Sequence, residues 1–249
     1  MIDFGLLISM ALAIGVPSLL AHRWTLQTLD GTAGFADVAV VPGLAGLAVG
    51  RLAAVLLDDR RSLDRLSNLL IVRSGVEFWP GVAAAAVVVA CAARRQQVRP
   101  MTRLVDVAPL AMVGYAAYEA ACVFRDGCYG PPSAVGLRPD GVTATMLPVG
   151  VLAAVGVVVG AAIVRTMARR GVANIEIVLS AIAVVAGVRA AASVWLPHIG
   201  DGLTRQHASS VGVMVASASV AAVSVGVHRH PRRRAQPVAT DGEPASGRS

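Results

Sequence analysis

The stretch LVDVAPLAMVGYAAYEAACVFRDGCYG, residues 104–130, decides what kind of chain this is. From Leu104 to Phe124 it is apolar and close to the roughly 20 residues that a spanning helix needs. It nevertheless carries an acid, Glu119, inside the apolar run, and it breaks at Arg125-Asp126-Gly127 into a loop. An ionised carboxylate in hydrocarbon costs roughly 2.5–3.5 kcal/mol on insertion scales, so it persists only when partnered or functional. Glu119 therefore calls for a cation.

The rest of the chain supports a membrane reading. Of 249 residues, 55% are hydrophobic and 15% charged, and the mean hydropathy of +0.66 is too high for a soluble protein of this length. Aromatics make up only 4%; the apolar mass is Ala, Val and Leu with 25 glycines, which suits helices packing through small residues. The formal charge of +7 comes entirely from arginine, since no lysine occurs, and a high-GC coding sequence explains that bias. The arginines cluster between apolar runs and after the last one, so topology and anionic lipid account for them better than nucleic acid does.

Seven runs are long enough, or nearly so, to span: Phe4 to Leu20, Ala36 to Leu57, Gly75 to Ala93, Leu104 to Phe124, Leu147 to Val164, Asn174 to Leu196 and Ala208 to Val227. The fold class expected is all-α, a polytopic integral membrane protein with seven transmembrane helices. The N-terminal run lacks a basic leader region and carries Asp3, so it is kept as a first span. Arg94, Arg95, Arg99 and Arg103, then Arg165, Arg169 and Arg170, then Arg229 and Arg232 to Arg234 fall on one side of a seven-span chain. That places the C-terminus in the cytoplasm and the N-terminus outside. Arg60, Arg61, Arg65 and Arg73 oppose this count, but Asp58, Asp59 and Asp64 lie among them. DRRSLDRLSNLLIV reads as an amphipathic helix on the outer surface. Residues 1–227 thus form a membrane domain, and 228–249 a disordered, basic cytoplasmic tail. The pairs Gly46/Gly50 and Gly156/Gly160 are read as packing seams.

With orientation set, counting about 1.5 Å per residue puts Arg51, Glu119 and Arg189 in one layer roughly 8–11 Å below the outer surface, on three different helices. Glu77 and Arg73 stand at its rim. One reading is a buried pair that merely holds helices together. The other is a cavity with two guanidinium groups and one acid, net positive, whose forks match the oxygens of a lipid phosphate. Trp79 and Trp195 lie at outer ends, where an interfacial aromatic belt is the plain reading. His198, His207 and Asp201 occupy a short outer loop as ordinary solvated groups, and no metal or cofactor site is expected. Cys91 reads as a small core residue, while whether Cys122 and Cys128 pair stays open. No Ser-His-Asp order, P-loop or dinucleotide glycine fingerprint occurs, and residues 127–132 read as turn chemistry.

From its first span to its seventh the chain resembles prolipoprotein diacylglyceryl transferase, a seven-span bacterial enzyme family. DFGLLISMALAIG is similar to the family's first helix, and GLAGLAVGRLAAVLL to its glycine-rich second helix with an arginine, here Arg51. LLIVRSGVEFWPGVAAA resembles the segment leading to the family histidine, whose place Trp79-Pro80 takes. CVFRDGCYGPP resembles the family signature, with Glu119 at the position of the signature arginine and Arg125 close enough to be its displaced substitute. TMLPVGVL, AVVAGVRAAASVW with Arg189, and RQHASS resemble the segments that follow.

The resemblance implies a reaction at the bacterial cytoplasmic membrane. A lipobox cysteine thiolate of a preprolipoprotein signal peptide attacks the glyceryl carbon of phosphatidylglycerol, and glycerol phosphate leaves. The resemblance carries Arg189 as the catalytic residue that faces phosphate, with Arg51 beside it and Arg125 as a displaced signature arginine on the substrate. Glu119, the only acid in the layer, is the candidate catalytic base for the thiol proton, and Arg73 and Trp79 at the outer rim complete the candidate substrate-binding residues. The competing expectations are a catalytically inactive paralogue that binds lipid or lipoprotein, and a small transporter. The latter is disfavoured because the seven spans show no internal repeat.

Overall fold

The computed structural model describes residues 4–24, 26, 28, 33–58, 76–125, 128–139, 141–196 and 204–229. The expected outer amphipathic segment with Arg73, the residues His198 and Asp201, and the tail from residue 230 lie outside the described residues.

Among the described residues, seven helices are long and apolar enough to cross a membrane: α1 Phe4–Arg23, α2 Ala33–Asp58, α3 Phe78–Arg95, α4 Pro100–Ala120, α5 Val149–Arg169, α6 Asn174–Trp195 and α7 Arg205–Arg229. All seven expected spans are present, so this is a multi-pass membrane protein. The helical architecture has one addition that the turn-like residues 127–132 did not announce. A 3-10 turn, Ala121–Phe124, follows α4, and a short strand, β1 Pro132–Leu137, bridges to Met146. Backbone bonds from Ser133 N to Thr145 O (2.9 Å) and from Gly130 N to Leu147 O (2.8 Å) fold this connection over the start of α5.

Helix ends follow from local chemistry. Pro100 opens α4, where its missing N–H costs nothing. After α5, Gly171 takes φ +69°, Gly171 N donates to Ala168 O and Val172 N to Met167 O, the paired bonds of a left-handed C-terminal cap. After α3 the same pair of bonds forms around Gln97, a non-glycine residue at φ 58°.

α4 is the central helix, packing on α1, α3, α5 and α6, and the core lies between α4, α5 and α6 around Met112, Val113, Val157, Ala161, Val164 and Ile177. α2 is peripheral and docks chiefly on α3. A Cβ on Gly46 would come 2.8 Å from the Gly81 carbonyl oxygen, and one on Gly50 would come 2.7 Å from that of Glu77, so this crossing needs glycine on both helices. Glu77 N also donates to Gly50 O at 3.0 Å. Large apolar side chains such as Leu44, Val155, Ile163 and Val220 are exposed, as faces turned to lipid should be. Cys91, expected in the core, is exposed instead on α3.

Candidate functional site

Tyr115 and Glu119 stand one turn apart on α4 and so share a face. α6 brings Arg189 onto that face: its Nη1 lies 3.9 Å from Glu119 Oε1 and donates to the Tyr115 hydroxyl at 2.8 Å. The two side chains of the ion pair are 18% and 20% exposed. At 3.9 Å the pair is ionic contact rather than hydrogen bond. A third element, α3, contributes Phe78, whose ring lies 4.0 Å beneath the Arg189 guanidinium and packs against Tyr115 with centroids 5.2 Å apart. The Arg189 Nε is buried and has no hydrogen-bond acceptor among the described residues. Arg103 and Arg125 also bury an Nε without an acceptor among these residues, so the orphan donor alone does not mark a ligand site; Arg189 differs from them in lining a pocket beside an acid.

The ion pair forms one wall of a small polar pocket of about 50 Å³, completed by Ser193 of α6 and by Gln206 and Ser210 of α7. Across Tyr115 lies a second, apolar cavity of about 440 Å³, lined by small and branched residues of α1, α2, α3, α4 and α6 from Phe78 and Trp79 down to Leu104 and Val107. Among the described residues, Tyr115 is the one that lines both.

The other residues read as site candidates are distributed differently. Trp79 is half-buried and inward: its Nε1 donates to Ser210 Oγ at 3.2 Å and its ring meets Phe78 edge-on at 5.0 Å. It ties the apolar cavity to the polar pocket, whereas Trp195 at 48% exposure fits the interfacial belt. Arg51 is buried at 6% exposure on α2, beside the Gly50–Glu77 contact, and lines neither cavity. The ion pair seen in the expected layer is that of Arg189 with Glu119. Arg125 turns back on Tyr118, donating from Nη1 to its hydroxyl and from Nη2 to its carbonyl at 3.1 Å, with the guanidinium 4.0 Å over the ring. It does not reach the pocket. Glu77, placed at the rim, pairs with Arg205 at 2.6 Å.

Sequence reasoning passed over Tyr115, Phe78 and Gln206. Tyr115 had a signal, since it lies four residues before an intramembrane acid, one of only three tyrosines in the chain. His207 is not a bare loop histidine: its Nδ1 lies 2.9 Å from Ser193 Oγ and 3.1 Å from Ala190 O. Cys122 and Cys128 form a disulfide with Cα atoms 5.8 Å apart. It closes the connection after α4, and Cys128 lines the polar pocket. Among the described residues no group of three or more His, Cys, Asp or Glu side chains is arranged to hold a metal.

The site therefore offers a fixed cation with an unmet donor, an acid beside it, hydroxyl and amide groups around them, and an apolar cavity beneath. That set suits an amphiphile with an anionic head. Comparison with the curated proteins finds no match. The family profile described as prolipoprotein diacylglyceryl transferase matches residues 2–227, nearly the whole chain, and the protein belongs to that transferase family.

Proposed function

We propose that the protein transfers diacylglycerol from an anionic phospholipid, phosphatidylglycerol in the simplest case, to the lipobox cysteine of a preprolipoprotein. The observation that carries this reading is the junction at Tyr115 of an Arg189–Glu119 pocket with an apolar cavity. Along α4 that cavity runs from Tyr115 to Leu104, about 16 Å, close to half of a hydrocarbon core of about 30 Å, the depth of one leaflet. At about 440 Å³ it is of the size that holds a small-molecule ligand. An acyl chain lies in it while the head reaches the pocket. The arginine distribution puts the pocket at the extracytoplasmic end of a bacterial cytoplasmic-membrane protein.

In the reaction Arg189 neutralises the phosphate as the carbon–oxygen bond breaks. Glu119 takes the proton of the incoming thiol, whose ordinary pKa of about 8.5 otherwise leaves it mostly protonated. The thiolate forms the thioether at the glyceryl carbon, and glycerol phosphate leaves, carrying away the electron pair of the broken bond.

A second reading, a family member that holds lipid without turnover, draws on the same pair: Glu119 already neutralises Arg189, and among the described residues no other arginine lines this pocket. Expression in cells depleted of their own transferase separates the two. The first reading expects a reporter lipoprotein to gain the mass of a diacylglyceryl group. Well-inserted protein with an unshifted reporter would reject it in favour of the second.

A further inference from the structure

Tyr115 occupies a position that the reaction chemistry does not require. Its hydroxyl accepts from Arg189 Nη1 at 2.8 Å one helical turn from Glu119, and its ring packs against Phe78, whose face carries the guanidinium. It is the wall shared by the apolar cavity and the polar pocket. A guanidinium stacked on a ring can still slide in its own plane. A hydrogen bond to Nη1 removes that freedom and fixes which edge remains for an incoming oxyanion. With Nη1 held by Tyr115, the donors left for an oxyanion are those that Tyr115 does not take; among them Nε is buried and has no acceptor among the described residues.

We infer that Tyr115 is a positioning residue for the lipid headgroup: through its hydroxyl it aims Arg189 at the phosphate, and through its ring it marks the boundary between head and acyl chain. This rests on the phospholipid reading given above, but not on turnover. The hydroxyl and the ring then have separable effects. Losing the hydroxyl weakens recognition of the phosphate alone, whereas losing the ring merges the two cavities and disturbs any lipid in them.

The test is equilibrium binding to the purified full-length protein in detergent, with phosphatidylglycerol and diacylglycerol of matched acyl chains, for the native protein, Tyr115→Phe and Tyr115→Ala. The native protein is expected to prefer phosphatidylglycerol. Tyr115→Phe should lose about tenfold in affinity for it, equivalent to about 1.4 kcal/mol, while diacylglycerol affinity stays within about twofold. Tyr115→Ala should weaken both. Unchanged phosphatidylglycerol binding in Tyr115→Phe, or an equal fall for both lipids, would overturn the positioning role while leaving the phospholipid reading intact. A native protein with no preference between the two lipids would overturn both.

Discussion

The two ends of α4 both carry buried charge, and they use it differently. At one end, Glu119 meets Arg189 from another helix at the wall of a cavity. At the other, Arg103 and Asp106 are 4% and 8% exposed but line neither cavity. Asp106 accepts from Thr28 N at 2.8 Å and from the Thr28 hydroxyl, and Arg103 Nη2 donates to Gln96 Oε1 at 2.7 Å. These partners belong to the connections between helices, so the charges at this end hold connections onto α4. A charge inside a span is a hypothesis of function by default. The contrast within one helix shows what refines it: the charge that faces a cavity against a partner from a different helix is the one placed to meet a ligand.

The largest effect that would break this contrast concerns the two arginines. Arg189→Ala should lower diacylglyceryl transfer by about 10²–10³, the scale of removing one preorganised electrostatic group. Arg103→Ala should lower transfer only in proportion to the folded protein recovered, with both followed by reporter mass and membrane protein level. Glu119→Gln comes next. As the proton acceptor it should cost about 10² in rate, at the low end for general base catalysis. If the protein only holds lipid, the same change frees Arg189 and raises phospholipid retention, read by mass spectrometry of co-purified lipid.

Smaller effects probe stability. Replacing both Cys122 and Cys128 by serine should cost about 2 kcal/mol for a loop this short, seen as a lower unfolding temperature in detergent and in the native protein under reductant. Thr28→Val removes one of the two bonds to Asp106 and should cost about 1 kcal/mol, with lipid binding unchanged. A loss of lipid binding on that change would remove the distinction between the two ends.

Much of this was legible in advance. Seven apolar runs, the arginine pattern and an acid in the fourth run specify a polytopic chain, because in lipid each helix must satisfy its own backbone and so declares itself by length and composition. That Glu119 has a partner in its own layer, Arg51 or Arg189, was readable from depth. The position of Arg51 was not, because depth is one coordinate and the facing of a helix is another. The small-residue seam Gly46–Gly50 against Gly81 docks α2 on α3, and Arg51 lines neither cavity. The local contacts of Arg125 were not readable either: the aromatic face and carbonyl of Tyr118 hold it beside α4. The strand Pro132–Leu137 was hidden because a run opening on Pro-Pro reads as a turn, and only its pairing with residues 145–147 makes it extended.

The central claim is that the cavity-facing pair at Arg189 and Glu119 is where a phospholipid phosphate is met and released. It is tested most directly by reconstituting the purified protein in phosphatidylglycerol vesicles with a lipobox peptide and measuring glycerol phosphate released against thioether formed. The account predicts one-to-one release with the native protein, near-complete loss with Arg189→Ala and retention with Arg103→Ala. No release from well-inserted native protein, or equal loss in both variants, would contradict it.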